Sequence, residues 1–136
     1  MKKIIVIGCP GSGKSTLAKL LVGLMEATSG EIIVDGEVLN EDSVGEIRKK
    51  IGIVFQFPEY QLFEETVEKD ILFGPKNFNF SQDELKDLAL NSLRVVGLDD
   101  SYLQKSPFEL SGGEKRRVAI AGILAFNPDV LIVDEP

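Results

Sequence analysis

Gly8-Cys9-Pro10-Gly11-Ser12-Gly13-Lys14-Ser15 is the stretch on which the reading of the fold turns. It matches G-x-x-x-x-G-K-S, the phosphate-binding P-loop or Walker A motif. Glycines let the backbone curl with its N–H groups pointing inward, which makes an anion nest. The helix that opens there adds the positive end of its dipole. Lys14 would supply a point charge to the β- and γ-phosphates, and the Ser15 hydroxyl would ligate Mg2+. Gly8, Pro10, Gly11, Ser12, Gly13, Lys14, Ser15 and Thr16 are the candidate nucleotide-binding residues of this loop. A plain glycine turn with an exposed lysine is the alternative, and the flanks argue against it. Residues 2–8 are short, apolar and β-branched and read as a fully buried strand. Residues 14–25 carry Leu17, Leu20, Leu21, Leu24 and Met25 as a helical stripe.

Further along, residues 32–34 form a short strand before the turn dipeptide Asp35-Gly36. Ser43 with Glu46 reads as a capping box that opens a helix ending near Lys50. Residues 51–56 are a second buried strand. Pro58 breaks the chain, residues 64–73 read as a short helix, and Gly74 and Pro75 end it. Ser81 with Glu84 caps a longer helix, with Leu85, Leu88, Leu93 and Val96 inward and Gly97 as its stop. Ser111 with Glu114 opens a helix to about Phe126, which Asn127-Pro128 ends. Residues 130–134 are a third buried strand. Strand–helix units alternate around a helical insert, which implies an α/β fold with a mostly parallel sheet flanked by helices. The expected organisation is one P-loop nucleotide-binding domain over residues 1–136, with a helical subdomain at about 57–110.

Composition narrows the function. The 136 residues include 43% hydrophobic and 27% charged side chains, which is globular rather than disordered. No run of about 18 apolar residues is present, so no membrane-spanning helix is expected. The N-terminus reaches Gly8 too soon for a signal peptide core. One cysteine, Cys9, excludes an internal disulfide and fits a reducing cytoplasm. The absence of histidine removes His metal sites and Ser-His-Asp triads. The formal charge of −7 is concentrated in residues 57–110, which carry −6 of it. An acidic chain gains little from nucleic-acid phosphates, so no DNA or RNA partner is expected.

Three further motifs follow. Residues 130–135 read VLIVDE, an apolar strand ending in acids, like a Walker B motif. Asp134 would hold Mg2+ through water, and Glu135 could orient or deprotonate an attacking water. Leu110-Ser111-Gly112-Gly113-Glu114 sets two glycines in the first turn of a helix. Glycines there cost helix stability and suggest close approach to a ligand. Their N–H groups offer a second phosphate-binding surface, so Ser111, Gly112, Gly113 and Glu114 are also candidate binding residues. A helix cap and nothing more is the bland reading. Gln56 closes the strand IGIVFQ.

Together these residues resemble the ATPases of ABC transporters. Leu110 to Glu114 is similar to the LSGGQ signature, with Glu in its last place. Ser111 and Asp134 lie 23 positions apart, as that family's pattern implies. Gln56 resembles the Q-loop glutamine, and residues 56–78 are similar to the ATPases of energy-coupling factor importers, which serve vitamins and metal ions such as cobalt. The resemblance covers about residues 28–136. It implies ATP and Mg2+ as ligands, with Ser15, Gln56 and Asp134 around the metal and Lys14, Gln56 and Glu135 in the catalytic role. It implies a second ATPase subunit as partner, in a homo- or heterodimer, one subunit's P-loop facing the other's signature. It also implies a transmembrane subunit docked on the helical insert, with Phe57, Tyr60, Leu62 and Phe63 as candidate contacts. For any one of these four, a place in the core is an equal alternative. The location implied is cytoplasmic and peripheral on the membrane.

Three departures bear on these expectations. The N-terminal β-subdomain with its adenine-stacking aromatic is missing before Lys14, and the first 21 residues read more like a small P-loop kinase. The D-loop expected after Glu135 and the switch histidine are absent. A strand that in related ATPases lies between the Walker A and Walker B strands is missing too. These two strands must then pair directly, leave a gap that exposes apolar surface, or borrow a strand. The chain is therefore expected to be a fragment, a chimera or a minimal core. A non-catalytic nucleotide-binding piece is the main alternative function, and a small kinase a lesser one.

Overall fold

The computed structural model describes residues 5–134. Helix α1 (Lys14–Leu21) follows the P-loop. A hairpin of β1 (Ile33–Val34) and β2 (Glu37–Val38) turns at Asp35-Gly36. Helix α2 (Val44–Lys50) runs directly into β3 (Ile51–Val54). A 3-10 turn (Pro58–Gln61) leads to α3 (Val67–Leu72), and α4 (Gln82–Val95) follows. After two more 3-10 turns, Asp100–Tyr102 and Pro107–Glu109, come α5 (Gly112–Leu124) and β4 (Val130–Val133).

β3 and β4 pair in parallel, from Ile51 opposite Val130 to Val54 opposite Val133. Parallel strands need a crossover of a dozen residues or more, and all of α3, α4 and α5 lies in this one. Those helices enclose the main core, where Val67, Ile71, Ala89, Leu93, Val118 and Ala121 are almost fully buried. A smaller cluster of Val22, Ile47 and Ile51 joins the end of α1 to α2 and β3. Arg48 reinforces that joint by donating from Nε to Val22 O at 2.8 Å and from Nη2 to Gly23 O at 2.9 Å. A guanidinium at a helix C-terminus satisfies orphan carbonyls and complements the dipole.

Several expectations are corrected. The strand expected at residues 2–8 is not formed in its described part. Residues 5–8 pair with no strand, and Ile5 and Ile7 are 82% and 89% exposed. In residues 5–8 the Walker A strand does not pair directly with β4, and its apolar side chains stand exposed. A β-branched run becomes a strand only where a neighbouring edge accepts it. β4 is also less buried than expected, with Val130 and Val133 close to half exposed. Among the described residues it pairs with β3 alone, which leaves its other edge open.

Helix α1 stops at Leu21 rather than Met25. Gly23, at φ 70, closes it with a Schellman pair in which Gly23 N donates to Leu20 O and Leu24 N to Lys19 O. The box expected at Ser43 and Glu46 is absent, because Ser43 Oγ instead donates to Val38 O at 2.6 Å. Asn40 takes the turn, its Oδ1 accepting from Asp42 N and Ser43 N. The boxes at Ser81–Glu84 and Ser111–Glu114 both form, and Gly97, just past the C-cap Val96, is the stop of α4 as read.

Candidate functional site

The P-loop is shaped by its glycines. Gly11 and Gly13 stand at φ 82 and 96, where a side chain would be strained. Ser12 N donates to Cys9 O at 3.0 Å and tightens the turn. Gly13 is the N-cap of α1, and no side chain caps that end. The first turn of α1 holds no acid, so its dipole end is not neutralised locally. Lys14 Nζ donates to Gly8 O at 2.9 Å and to Cys9 O at 3.2 Å, which folds the ammonium over the loop. Residues 8–13, Ser15 and Thr16 are exposed and Lys14 is half-buried. Uncapped N–H groups, left-handed glycines and an ammonium over the same turn fit a phosphate chain.

Gln56 and Asp134 are brought to one place. Asp134 N donates to Val54 O at 2.8 Å, one step beyond the β3–β4 ladder, and Gln56 follows Val54 by two residues. Both therefore stand at the C-terminal ends of parallel strands, where open α/β sheets take their ligands. Phe57 next to Gln56 lies at φ 55, a strained conformation that turns the chain sharply into Pro58–Gln61. A hydroxyl, an amide and a carboxylate are hard oxygen donors suited to Mg2+ alongside phosphate oxygens. Glu135 lies outside the described residues.

The signature turn is built differently. Ser111 Oγ accepts from Glu114 N at 3.3 Å, and Glu114 Oε2 accepts from Ser111 N at 2.8 Å. Tyr102 Oη donates to Glu114 Oε1 at 2.7 Å. This bond, with the two to Ser111, holds the Glu114 carboxyl below its ordinary range and pushes the Tyr102 phenol up. A Cβ built on Gly112 or Gly113 meets nothing within 4 Å, and neither residue has a positive φ. Among the described residues nothing therefore requires glycine at these two positions.

Two partners escaped the sequence. Tyr102 lies twelve residues before Glu114, with the 3-10 turn Pro107–Glu109 between them and no periodic signal linking them. Glu59 in the turn after Gln56 pairs with Arg116 of α5, Arg116 donating at 3.2 and 3.3 Å across 57 positions. The guanidinium holds the Glu59 carboxyl below its usual range. Such long-range pairs carry no local pattern.

Above α3 and α5 an open groove of about 470 Å³ is lined by Leu62, Phe63, Ile71, Phe73, Val118 and Phe126. Of the four candidate contacts, Phe57, Tyr60 and Phe63 are exposed, whereas Leu62 is half-buried against the helical core. Asp70 lies on the groove wall, where burial pushes its carboxyl up against the lowering effect of bonds from Phe63 N and Glu64 N.

Comparison with known proteins follows this geometry. The family model for the ABC transporter matches residues 1–136. The energy-coupling factor transporter ATP-binding protein EcfA2 of Clostridium tetani is 57% identical over 136 residues, covering 98% of this chain and 47% of that protein. EcfA2 of Enterococcus faecalis is also 57% identical, over 135 residues, with 96% and 47% covered. Among solved structures, cbiO1 from Clostridium perfringens, part of the ABC transporter complex cbiONQ, superposes with a TM-score of 0.85. It is 39% identical and covers 96% of this chain and 52% of that one. A dimeric ATP-binding cassette in a post-hydrolysis state, bound to ADP and Pi, gives a TM-score of 0.78 at 34% identity, with 93% and 57% covered. The chain thus spans about half the length of the curated relatives it matches. The match includes the opening residues, whose sequence alone reads closer to a small kinase.

Proposed function

This chain belongs to the ABC transporter family, and from that premise we propose that it is an ATP-binding subunit, or a segment of one, powering an energy-coupling factor type importer. One observation carries the reading. The chain holds an uncapped P-loop and, separately, a capped helix start whose two glycines have no internal reason to be there. Two unlike phosphate surfaces in one chain suit a dimer in which each nucleotide lies between one subunit's P-loop and the other's signature. The dimeric form of the ADP-bound ATP-binding cassette relative supports this arrangement.

In that reading Gly8, Pro10, Gly11, Ser12, Gly13, Lys14, Ser15 and Thr16 cradle the phosphates. Ser15, Gln56 and Asp134 hold Mg2+, which neutralises charge on the β- and γ-phosphates. Ser111, Gly112, Gly113 and Glu114 meet the nucleotide of the partner subunit. Glu135 is the proposed base toward water, with Gln56 orienting it. The chain acts as one nucleotide-binding domain with a helical subdomain at about 57–110. A transmembrane subunit docks on that subdomain, with Phe57, Tyr60 and Phe63 as exposed contacts. Among the described residues no helix is long and apolar enough to cross a membrane.

The test is calorimetric titration of Mg-ATP, with Lys14→Ala beside the unmutated chain. Binding that Lys14→Ala abolishes supports the reading, and no binding by either protein refutes it. Nucleotide binding without turnover is the second reading, favoured by the unpaired, exposed residues 5–8 that lead into the P-loop. Phosphate release that is unchanged in Glu135→Gln would select it.

A further inference from the structure

Tyr102 lies outside every motif, yet its hydroxyl reaches the signature. Glu114 has two carboxylate oxygens, and both are engaged: Oε2 by Ser111 N and Oε1 by Tyr102 Oη. The tyrosine is itself well anchored. Its ring packs against the helical core, and Lys105 Nζ sits 4.0 Å from the ring centroid. The loop that carries it is tied to the start of α3, with Val67 N donating to Lys105 O at 2.9 Å and Glu68 N to Leu103 O at 3.0 Å. Meanwhile the N–H groups of Gly112 and Gly113, in the first turn of α5, have no intrahelical acceptor.

We propose that Tyr102 is a positioning residue for the signature turn, its hydroxyl holding the Glu114 carboxylate so that the Gly112 and Gly113 N–H groups stay open to a nucleotide phosphate. This rests on the reading above that the turn meets nucleotide. Without the hydroxyl, Oε1 loses its fixed donor while keeping its negative charge. The first-turn N–H groups are donors it can turn to, in competition with the Lys105 ammonium that also acts on Glu114, and a carboxylate at a helix N-terminus is favoured there. It would then compete with the phosphate for the same surface. Tyr102→Phe removes the bond and little else, because the ring and its packing remain.

The experiment compares the natural full-length protein with its Tyr102→Phe variant. Mg-ATP affinity is read by calorimetry, and ATP-dependent self-association by sedimentation with EDTA present to stop turnover. Losing one hydrogen bond to a charged group should weaken association about tenfold and leave P-loop affinity within about twofold. In a Glu114→Ala background the same tyrosine change should have no effect, since no carboxylate remains to misplace. Undiminished association in Tyr102→Phe overturns the inference. So does a parallel loss of P-loop affinity and association, which would mark a general structural role. If the unmutated protein binds ATP but does not associate with itself, the homodimer form of the reading fails and this inference, argued on that form, falls with it. If it does not bind ATP at all, the P-loop reading has failed.

Discussion

Helices α1 and α5 both begin at a glycine-containing turn, and they begin in different ways. Gly13 caps α1 with backbone alone, in a left-handed conformation, and among the described residues no side chain caps that end. Ser111 caps α5 with a reciprocal box, and Tyr102 adds a third bond from outside the helix. The surroundings differ as well. Residues 5–8 before the P-loop are exposed and unpaired, whereas α5 packs on α3 and α4 in the main core. In the proposed function the difference has a use: a loop that wraps an anion needs adaptable backbone, and a turn that meets another subunit's nucleotide gains from being held by side chains and by the core behind it.

That contrast can be tested at several strengths. Removing the Lys14 ammonium should cost the most function, on the order of a hundredfold in Mg-ATP affinity by calorimetry. The thermal midpoint should respond less than the affinity, because the Lys14 bonds to Gly8 O and Cys9 O are local to an exposed loop. Leu93→Ala should do the reverse. Leu93 is fully buried, so about 2–5 kcal/mol of stability should be lost in urea unfolding. Intact P-loop affinity in the surviving folded fraction would show that the two regions are separable. A hundredfold loss of affinity there would show that the helical core also shapes the P-loop.

Smaller effects sharpen the comparison. Ser111→Ala removes the cap and should cost about 1 kcal/mol in urea unfolding. No equivalent loss is expected on the P-loop side, where no side chain caps α1. Gly112→Ala should be neutral or gain up to about 1 kcal/mol, since its Cβ would enter open space. Weaker ATP-dependent association in that same variant would assign the glycine to function. An unchanged association would return it to a merely tolerated residue.

The smallest effect is expected from Glu59→Gln. Arg116 lowers the Glu59 pKa in the folded chain, so the pair's contribution is present above the ordinary carboxylate pKa. It is lost as pH falls through the lowered value. Urea midpoints of the variant and its parent should therefore differ near neutrality and converge in acid. A difference that persists in acid would place the effect in packing rather than charge.

Much of this was legible in the sequence, and the reason is locality. The P-loop glycines, the Ser81 and Ser111 boxes and the Gly97 stop are set by residues within one turn of each other. Ser43 shows the limit of such reading, because its hydroxyl is engaged by Val38 O and Asn40 N in the preceding turn rather than by the helix. Residues 2–8 show another limit. Their composition is that of a strand, but a strand exists only beside a partner, and in the described residues 5–8 no partner is there. Tyr102 with Glu114 and Glu59 with Arg116 were illegible because tertiary folding alone brings them together. Gln56 and Asp134 fell between these cases. Each could be placed at a strand end, but not beside the other until β3 and β4 were seen in register.

The bond from Asp134 N to Val54 O makes that register a question of parity. Side chains alternate faces along a strand, so a slip of one residue between β3 and β4 would turn Asp134 away while keeping the same number of ladder bonds. A slip of two would restore its face at a different depth. Lengthening or shortening the Asn127–Asp129 connection would therefore act on the carboxylate like an odd–even switch, with little change in the strand pairing itself.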